Sequence, residues 1–126
     1  MTIPASTYIP SVLAYTELVS QPFYAPAGVN RGVLDVLYPI VKLNKKDLDI
    51  LYDAKINPIV YFTNYGTVIF GQKTLKTLAS ALDRINVRLL MSNIKKWIES
   101  YGKTVLFDGN TSTLRSIFTS NVEAYL

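Results

Sequence analysis

Cysteine and histidine are both absent from this 126-residue chain. Without them there is no disulfide, no thiolate nucleophile, no imidazole base and little to bind a transition metal. Charge is sparse too: charged residues make up 17% and hydrophobic residues 49%, with a mean hydropathy of +0.20. No apolar run approaches the ~18 residues of a membrane-spanning helix, because each is broken by a charge, Pro, Gly or Asn. The start, MTIPASTYIP, has neither a basic opening nor a long apolar stretch and does not read as a signal peptide. One domain's length of chain, this apolar and this poor in charge, carries surface that must be hidden, and the economical cover is another protein subunit.

What charge there is does not point to chemistry. The net charge is +4, but the cations are scattered from Arg31 to Arg115, and only Lys45-Lys46 and Lys95-Lys96 adjoin. A groove for nucleic acid needs clustered cations interleaved with aromatics, so no nucleic-acid partner is expected. Asp49 and Asp53 stand one turn apart, yet Lys45, Lys46 and Lys55 neutralise that face. Phe70-Gly71-Gln72-Lys73-Thr74 shares residue types with the end of a phosphate-binding loop, but Gln72 splits Gly from Lys and the upstream glycine is missing. No nucleophile has an activating base. The expectation is a protein that is not an enzyme, with no cofactor, no metal and no membrane insertion.

The clearest local pattern lies between Lys55 and Leu90. Ile59-Val60-Tyr61-Phe62 and Thr67-Val68-Ile69-Phe70 are β-branched and aromatic runs joined by Thr63-Asn64-Tyr65-Gly66, which predicts a hairpin over about 58–71. Both alternating sets of its side chains are apolar, so these strands need a sheet covered on two faces. Asn57 precedes Pro58 and is pushed to extended backbone, starting the first strand. From Asp83 to Tyr101, Val87, Leu90, Met91, Ile94, Trp97, Ile98 and Tyr101 recur at helical spacing, with Asp83 as the expected cap and Gly102 as a stop. Arg88 follows Arg84 by one turn, a spacing that allows a guanidinium pair. Trp97 reads as a core filler.

Elsewhere, Thr2–Pro10 reads as an extended arm or strand and Ser11–Val19 as a short helix with Val12, Tyr15 and Val19 on one face. The stretch 22–32, rich in Pro and Gly, is a loop, and 33–37 alternates weakly, as a strand does. Asn44, with Asp47 three residues on, caps a helix striped by Leu48, Leu51 and Tyr52. A last helix starts at Thr111 or Ser112 with Leu114, Ile117, Phe118 and Val122 inward. The fold class is α/β: a two-layer sandwich in which a small mixed sheet is packed by a long helix over about 84–101 and by shorter helices.

Several of these motifs occur in the order found in one family. Tyr24-Ala25-Pro26-Ala27-Gly28, Asn30-Arg31-Gly32, Leu51-Tyr52-Asp53-Ala54, Ile56-Asn57-Pro58, Gly66-Thr67, Phe70-Gly71-Gln72-Lys73-Thr74-Leu75 and Asp83-Arg84-Ile85-Asn86-Val87-Arg88 together resemble the tail sheath proteins of contractile phage tails. The similarity fades beyond Phe107. Sheath-like sequences commonly have a second Arg after the one matching Arg88; here that position is Leu89.

The resemblance implies residues 1–126 as a single sheath assembly domain, lacking the outer domains and C-terminal arm that sheath proteins usually carry. It implies a fragment, a split product or a reduced protein, with an incomplete sheet and an exposed edge. It further implies a structural subunit that polymerises helically on itself around a tail tube protein, meets baseplate and tail terminator proteins, and contracts to drive the tube through an envelope. Such a protein would reside in the virion tail after assembly in the host cytoplasm. The motif and subunit-interaction residues it marks are Asn57, Pro58, Gly66, Gly71, Lys73, Thr74, Asp83, Arg84, Asn86 and Arg88, with Arg115 of the last helix expected to face the tube. Alternatives are the sheath of a phage-derived contractile injection machine, and a small protein-binding module that uses Phe23, Tyr24 and Tyr65.

Overall fold

The computed structural model describes residues 2–126. In chain order its elements are α1 (Ile9–Val19), β1 (Val33–Leu34), α2 (Lys45–Asp53), β2 (Ile59–Phe62), β3 (Gly66–Ile69), α3 (Ile85–Thr104) and α4 (Ser112–Tyr125). Short 3-10 turns lie at Ala5–Thr7 and Ala81–Asp83. The chain forms two compact units, one reaching Leu90 and the other Met91–Leu126, with the boundary inside α3.

In the first unit the hairpin forms as the β-branched runs predict. The Tyr65 N–H donates to the Phe62 carbonyl at 3.1 Å, and Gly66 follows at φ 77°. A tight turn followed by a left-handed residue is the usual three-residue hairpin, and glycine takes that conformation without a Cβ penalty. The strand order is β1-β3-β2, with both pairings antiparallel. The described strands therefore contain no parallel pair of the expected mixed sheet. β1 is only two residues long because the Val36 N–H turns back onto the Leu34 carbonyl at 2.9 Å, a three-residue turn that ends the expected 33–37 strand.

The register decides which residues are core. Val33 and Val60 oppose Val68 on one face, while Leu34 and Tyr61 oppose Thr67, and Ile59 opposes Ile69, on the other. Leu34 and Ile69 pack with Val12 of α1, supported by Tyr8, Ala27, Val36 and Ile59. The Thr2–Pro10 stretch is not the extended arm expected, since α1 already includes Pro10 at its first turn, where a missing N–H costs nothing. Nor do Tyr15 and Val19 form its inner face; both are half exposed, and Val12 and Thr16 are buried instead. Thr16 tolerates burial because its hydroxyl donates to the Val12 carbonyl at 2.8 Å.

Thr67 has no such partner. It is fully buried, and its Oγ1 lacks a hydrogen bond among the described residues. Thr67→Val keeps the shape and removes a desolvated hydroxyl. We expect the substitution to raise stability by about 1 kcal/mol in urea unfolding of the isolated chain; a loss of stability would show that the hydroxyl is satisfied in solution.

Helix ends follow sequence closely at α2. The Asn44 side chain accepts from the Asp47 N–H at 3.0 Å and the Asp47 carboxylate accepts from the Asn44 N–H at 2.9 Å, a reciprocal capping box. At α3 they do not. Asp83 closes the preceding 3-10 turn, and it is the Arg84 carbonyl that accepts the first helical N–H, from Arg88 at 3.2 Å. Asp83 is thus displaced from the cap, and Gly102 lies inside the helix rather than stopping it. In the second unit, Thr111 caps α4 through the Leu114 N–H at 3.1 Å. Trp97 stacks on Tyr125 (4.2 Å, 5°) and on Tyr101 (5.4 Å), and Tyr101 stacks on Phe118 (5.2 Å). These aromatics are the filling expected of Trp97.

Burial remains thin throughout. Among the described residues, Val12, Leu34, Val60, Val68 and Ile69 are the fully buried hydrophobics, and α2, α3 and α4 bury no residue fully. Leu37, Ile40, Leu75, Leu78 and Phe107 are each three-quarters or more exposed. No described helix is long and apolar enough to cross a membrane.

Candidate assembly site

Two glycine-bearing segments fasten the open end of the hairpin, where β2 begins and β3 ends. In the 22–32 loop, Gly28 (φ 83°) donates its N–H to the Ile69 carbonyl at 2.8 Å, and the Ile69 N–H donates to the Gly32 carbonyl at 2.8 Å. A Cβ on Gly32 would lie 2.8 Å from Ala27 Cα, so the loop folds on itself only with glycine there. Arg31 closes this loop, donating Nε to the Ala25 carbonyl at 3.1 Å and lying over the Tyr24 ring at 5.1 Å. Phe23 and Tyr24 stack on each other.

At the same end, one position further along the chain, the residues marked by sequence converge. The Phe70 N–H donates to the Pro58 carbonyl at 2.8 Å, carrying the ladder past β3. Asn57 then acts as a substitute backbone: its Oδ1 accepts from the Lys73 N–H at 2.7 Å and its Nδ2 donates to the Lys73 carbonyl at 2.9 Å. Gly71 is needed beside it, since a Cβ would stand 2.8 Å from Asn57 Oδ1. Lys73 forms an antiparallel bridge with Arg84, bounded by Ile85 N–H to the Gln72 carbonyl and Thr74 N–H to the Asp83 carbonyl, both 2.8 Å. The entry to α3 is thereby tied to the hairpin.

Tyr52, part of the Leu51-Tyr52-Asp53-Ala54 motif and of the apolar stripe of α2, joins this group. The Lys73 ammonium lies 3.0 Å from the centre of its ring and donates to its carbonyl at 3.1 Å. A hydrogen bond from Arg84, with Lys73 nearby, holds the Tyr52 phenol below the ordinary tyrosine range. Arg84 also pairs with Asp83 at 3.3 Å. Lys55 takes φ 60° at the end of α2, where glycine is usual, and its ammonium donates to the Lys76 carbonyl.

These parts surround a cleft of about 560 Å³ with apolar walls that include Leu48, Ile56, Pro58 and Phe70. Lys45, Lys73 and Arg84 lie at its border, opposed by Asp49. Gln72 Oε1 is buried at the cleft and Asn86 Oδ1 is buried in the first turn of α3, and neither has a partner among the described residues. Asn57, Pro58, Gly71, Lys73, Thr74, Asp83 and Arg84 therefore share one knot. Gly66 sits apart in the hairpin turn, Arg88 is exposed on α3, and Arg115 is exposed on α4, where its Nε donates to the Thr111 carbonyl at 3.4 Å. The described residues contain no cluster of three or more acidic groups able to hold a metal.

The sequence of the chain that forms this knot is similar to those of known proteins. Over 125 residues, or 98% of the chain, the sequence is 43% identical to the tail sheath protein of Vibrio phage KVP40 and 36% identical to that of Enterobacteria phage T4. It is 34% identical to the tail sheath protein of Salmonella phage ViI over the same span. Over this span the chain is similar to phage tail sheath proteins. It spans about a fifth of the length of these curated relatives, 19–20%. No family model matches the chain. Its fold recurs in a chain of the extracellular contractile injection system PVC sheath complex in the contracted state (TM-score 0.89, 24% identity, covering 100% of this chain and 35% of that one). It recurs also in a chain of the anti-feeding prophage baseplate (TM-score 0.87, 24% identity, 100% and 34%) and in the contracted anti-feeding prophage helical sheath (TM-score 0.86, 23%, 99% and 34%).

Proposed function

We propose that this chain is the assembly segment of a contractile tail sheath subunit, one that polymerises helically on itself around a tail tube and rearranges to drive the tube through a target envelope. The observation that carries the reading is identity of 34–43% to three phage tail sheath proteins across nearly the whole chain. The thin core and large apolar surface support it: a segment that buries so little alone gains stability from neighbours. Both outer strands of the sheet, β1 and β2, have an open edge among the described residues. Strand addition by an arm of a neighbouring subunit satisfies such edges, and a repeated heterologous contact builds a helical array. The role is mechanical, not enzymatic: metastable packing supplies the energy, with no cofactor. Baseplate and tail terminator proteins are the partners at the two ends of such an array, and α4 with Arg115 is the element we assign to the tube. The site is a virion tail, assembled in the host cytoplasm.

Electron microscopy of the purified protein tests the proposal. We expect striated tubes or polysheaths. A monodisperse monomer by light scattering at high concentration would overturn it.

A further inference from the structure

The turn between α3 and α4 places greasy residues where polar ones are normal. Its Asp108 N–H donates to the Val105 carbonyl at 3.2 Å, so Leu106 and Phe107 occupy the two middle positions, usually held by Gly, Pro, Asn, Asp or Ser. Leu106 is 68% and Phe107 96% exposed. An isolated exposed apolar residue means little, but an adjacent pair at a turn tip, with an aromatic at its point, is the form of an interface anchor. Nothing within the described structure uses it.

The cleft beside Asn57 offers the complement. Its walls are apolar, its border carries Lys45, Lys73 and Arg84 against Asp49, and Asp83 is already spent on Arg84. The net positive border suits one carboxylate. The turn tip presents an aromatic side chain and then a carboxylate at Asp108, which match the apolar walls and the positive border.

We infer that the Leu106-Phe107-Asp108 tip of one copy docks in the Leu48/Ile56/Pro58/Phe70 cleft of a second copy, with the Phe107 ring between the apolar walls and the Asp108 carboxylate toward Lys45 and Lys73. The inference rests on the sheath reading and adds a specific subunit contact to it. Knob and hole lie on different parts of the chain, so the contact is heterologous and can repeat from copy to copy. The tie of Lys73 and Arg84 to the hairpin keeps the hole in shape before docking, which lowers the ordering cost of assembly.

Because the chain has no cysteine, single thiols report the contact cleanly. Equal amounts of the Asp108→Cys and Lys45→Cys chains are mixed and oxidised with copper phenanthroline, and a disulfide-linked dimer of unlike chains is expected, absent from either chain alone. In sedimentation velocity Phe107→Ala should weaken self-association at least about tenfold, while its thermal unfolding matches the parent, the side chain being almost wholly exposed. If the parent chain polymerises but no mixed dimer forms and Phe107→Ala assembles like the parent, the docking inference falls and the sheath reading stands. If the parent chain stays monomeric at high concentration and no mixed dimer forms, both fall.

Discussion

Val68→Asp should leave no cooperatively folded protein. Val68 is fully buried at the centre of β3, with Val33 and Val60 directly opposite on either side. A carboxylate there loses its water and finds only aliphatic neighbours. The cost is more than about 4 kcal/mol even if the group stays protonated in the folded state. A small domain has about 5–15 kcal/mol in all, and one with so few buried side chains lies at the low end of that range. We expect the thermal transition seen by circular dichroism to vanish and the amide proton spectrum to collapse to random-coil shifts. Val68→Thr, nearly the same shape, serves as the reference. It adds one unpaired hydroxyl, costs about 1–3 kcal/mol, and should still melt cooperatively. A folded Val68→Asp chain would mean that the sheet is not the centre of the structure.

Asn57→Ala is expected to be the most damaging change outside the core. It removes two hydrogen bonds, at 2.7 and 2.9 Å, and leaves the Lys73 N–H and carbonyl half buried without partners, a loss of about 2–4 kcal/mol. The β-bridge from Lys73 to Arg84 depends on the same stretch of backbone, so the start of α3 should loosen too. Hydrogen exchange at Thr74 and Ile85, the amides of that bridge, would then accelerate more than exchange within β3. Gly71→Ala reaches the same contact from the opposite side, because its Cβ would press on Asn57 Oδ1 at 2.8 Å. The two changes should therefore be less than additive in denaturant unfolding: once the Asn57 side chain is gone, the closest obstruction is gone with it. Strict additivity would indicate that Asn57 and Gly71 act independently and that the knot is not a unit.

Local chemistry was readable wherever it was decided by a few neighbouring residues. The hairpin followed from two β-branched runs and a glycine able to take positive φ, α2 from the Asn44/Asp47 box, and α4 from Thr111. The stripe of α3 followed from period alone, because helical spacing requires no knowledge of the partner. The motif order from Tyr24 to Arg88 pointed to the sheath family, a relationship carried by the identity of the whole chain to its relatives. Where the reading failed, a longer-range contact overruled a local preference. Asp83 is a good helix cap by composition, but the pairing of Lys73 with Arg84 sets the helix one residue later and turns Asp83 to an ion pair. Thr16 displaced Tyr15 from the inner face of α1 because its hydroxyl found the Val12 carbonyl.

The sequence by itself determined the hairpin, the capped helices α2 and α4, the stripe of α3 and the similarity to sheath proteins, since these depend on residue identity and short spacing. Only the tertiary structure decided that Asn57, Gly71, Lys73 and Arg84 meet at one point, that Tyr52 joins them, and which apolar residues stay outside. Each of those outcomes depends on how distant segments pair across the sheet, and backbone hydrogen bonds between distant segments leave no periodic mark in the chain that makes them.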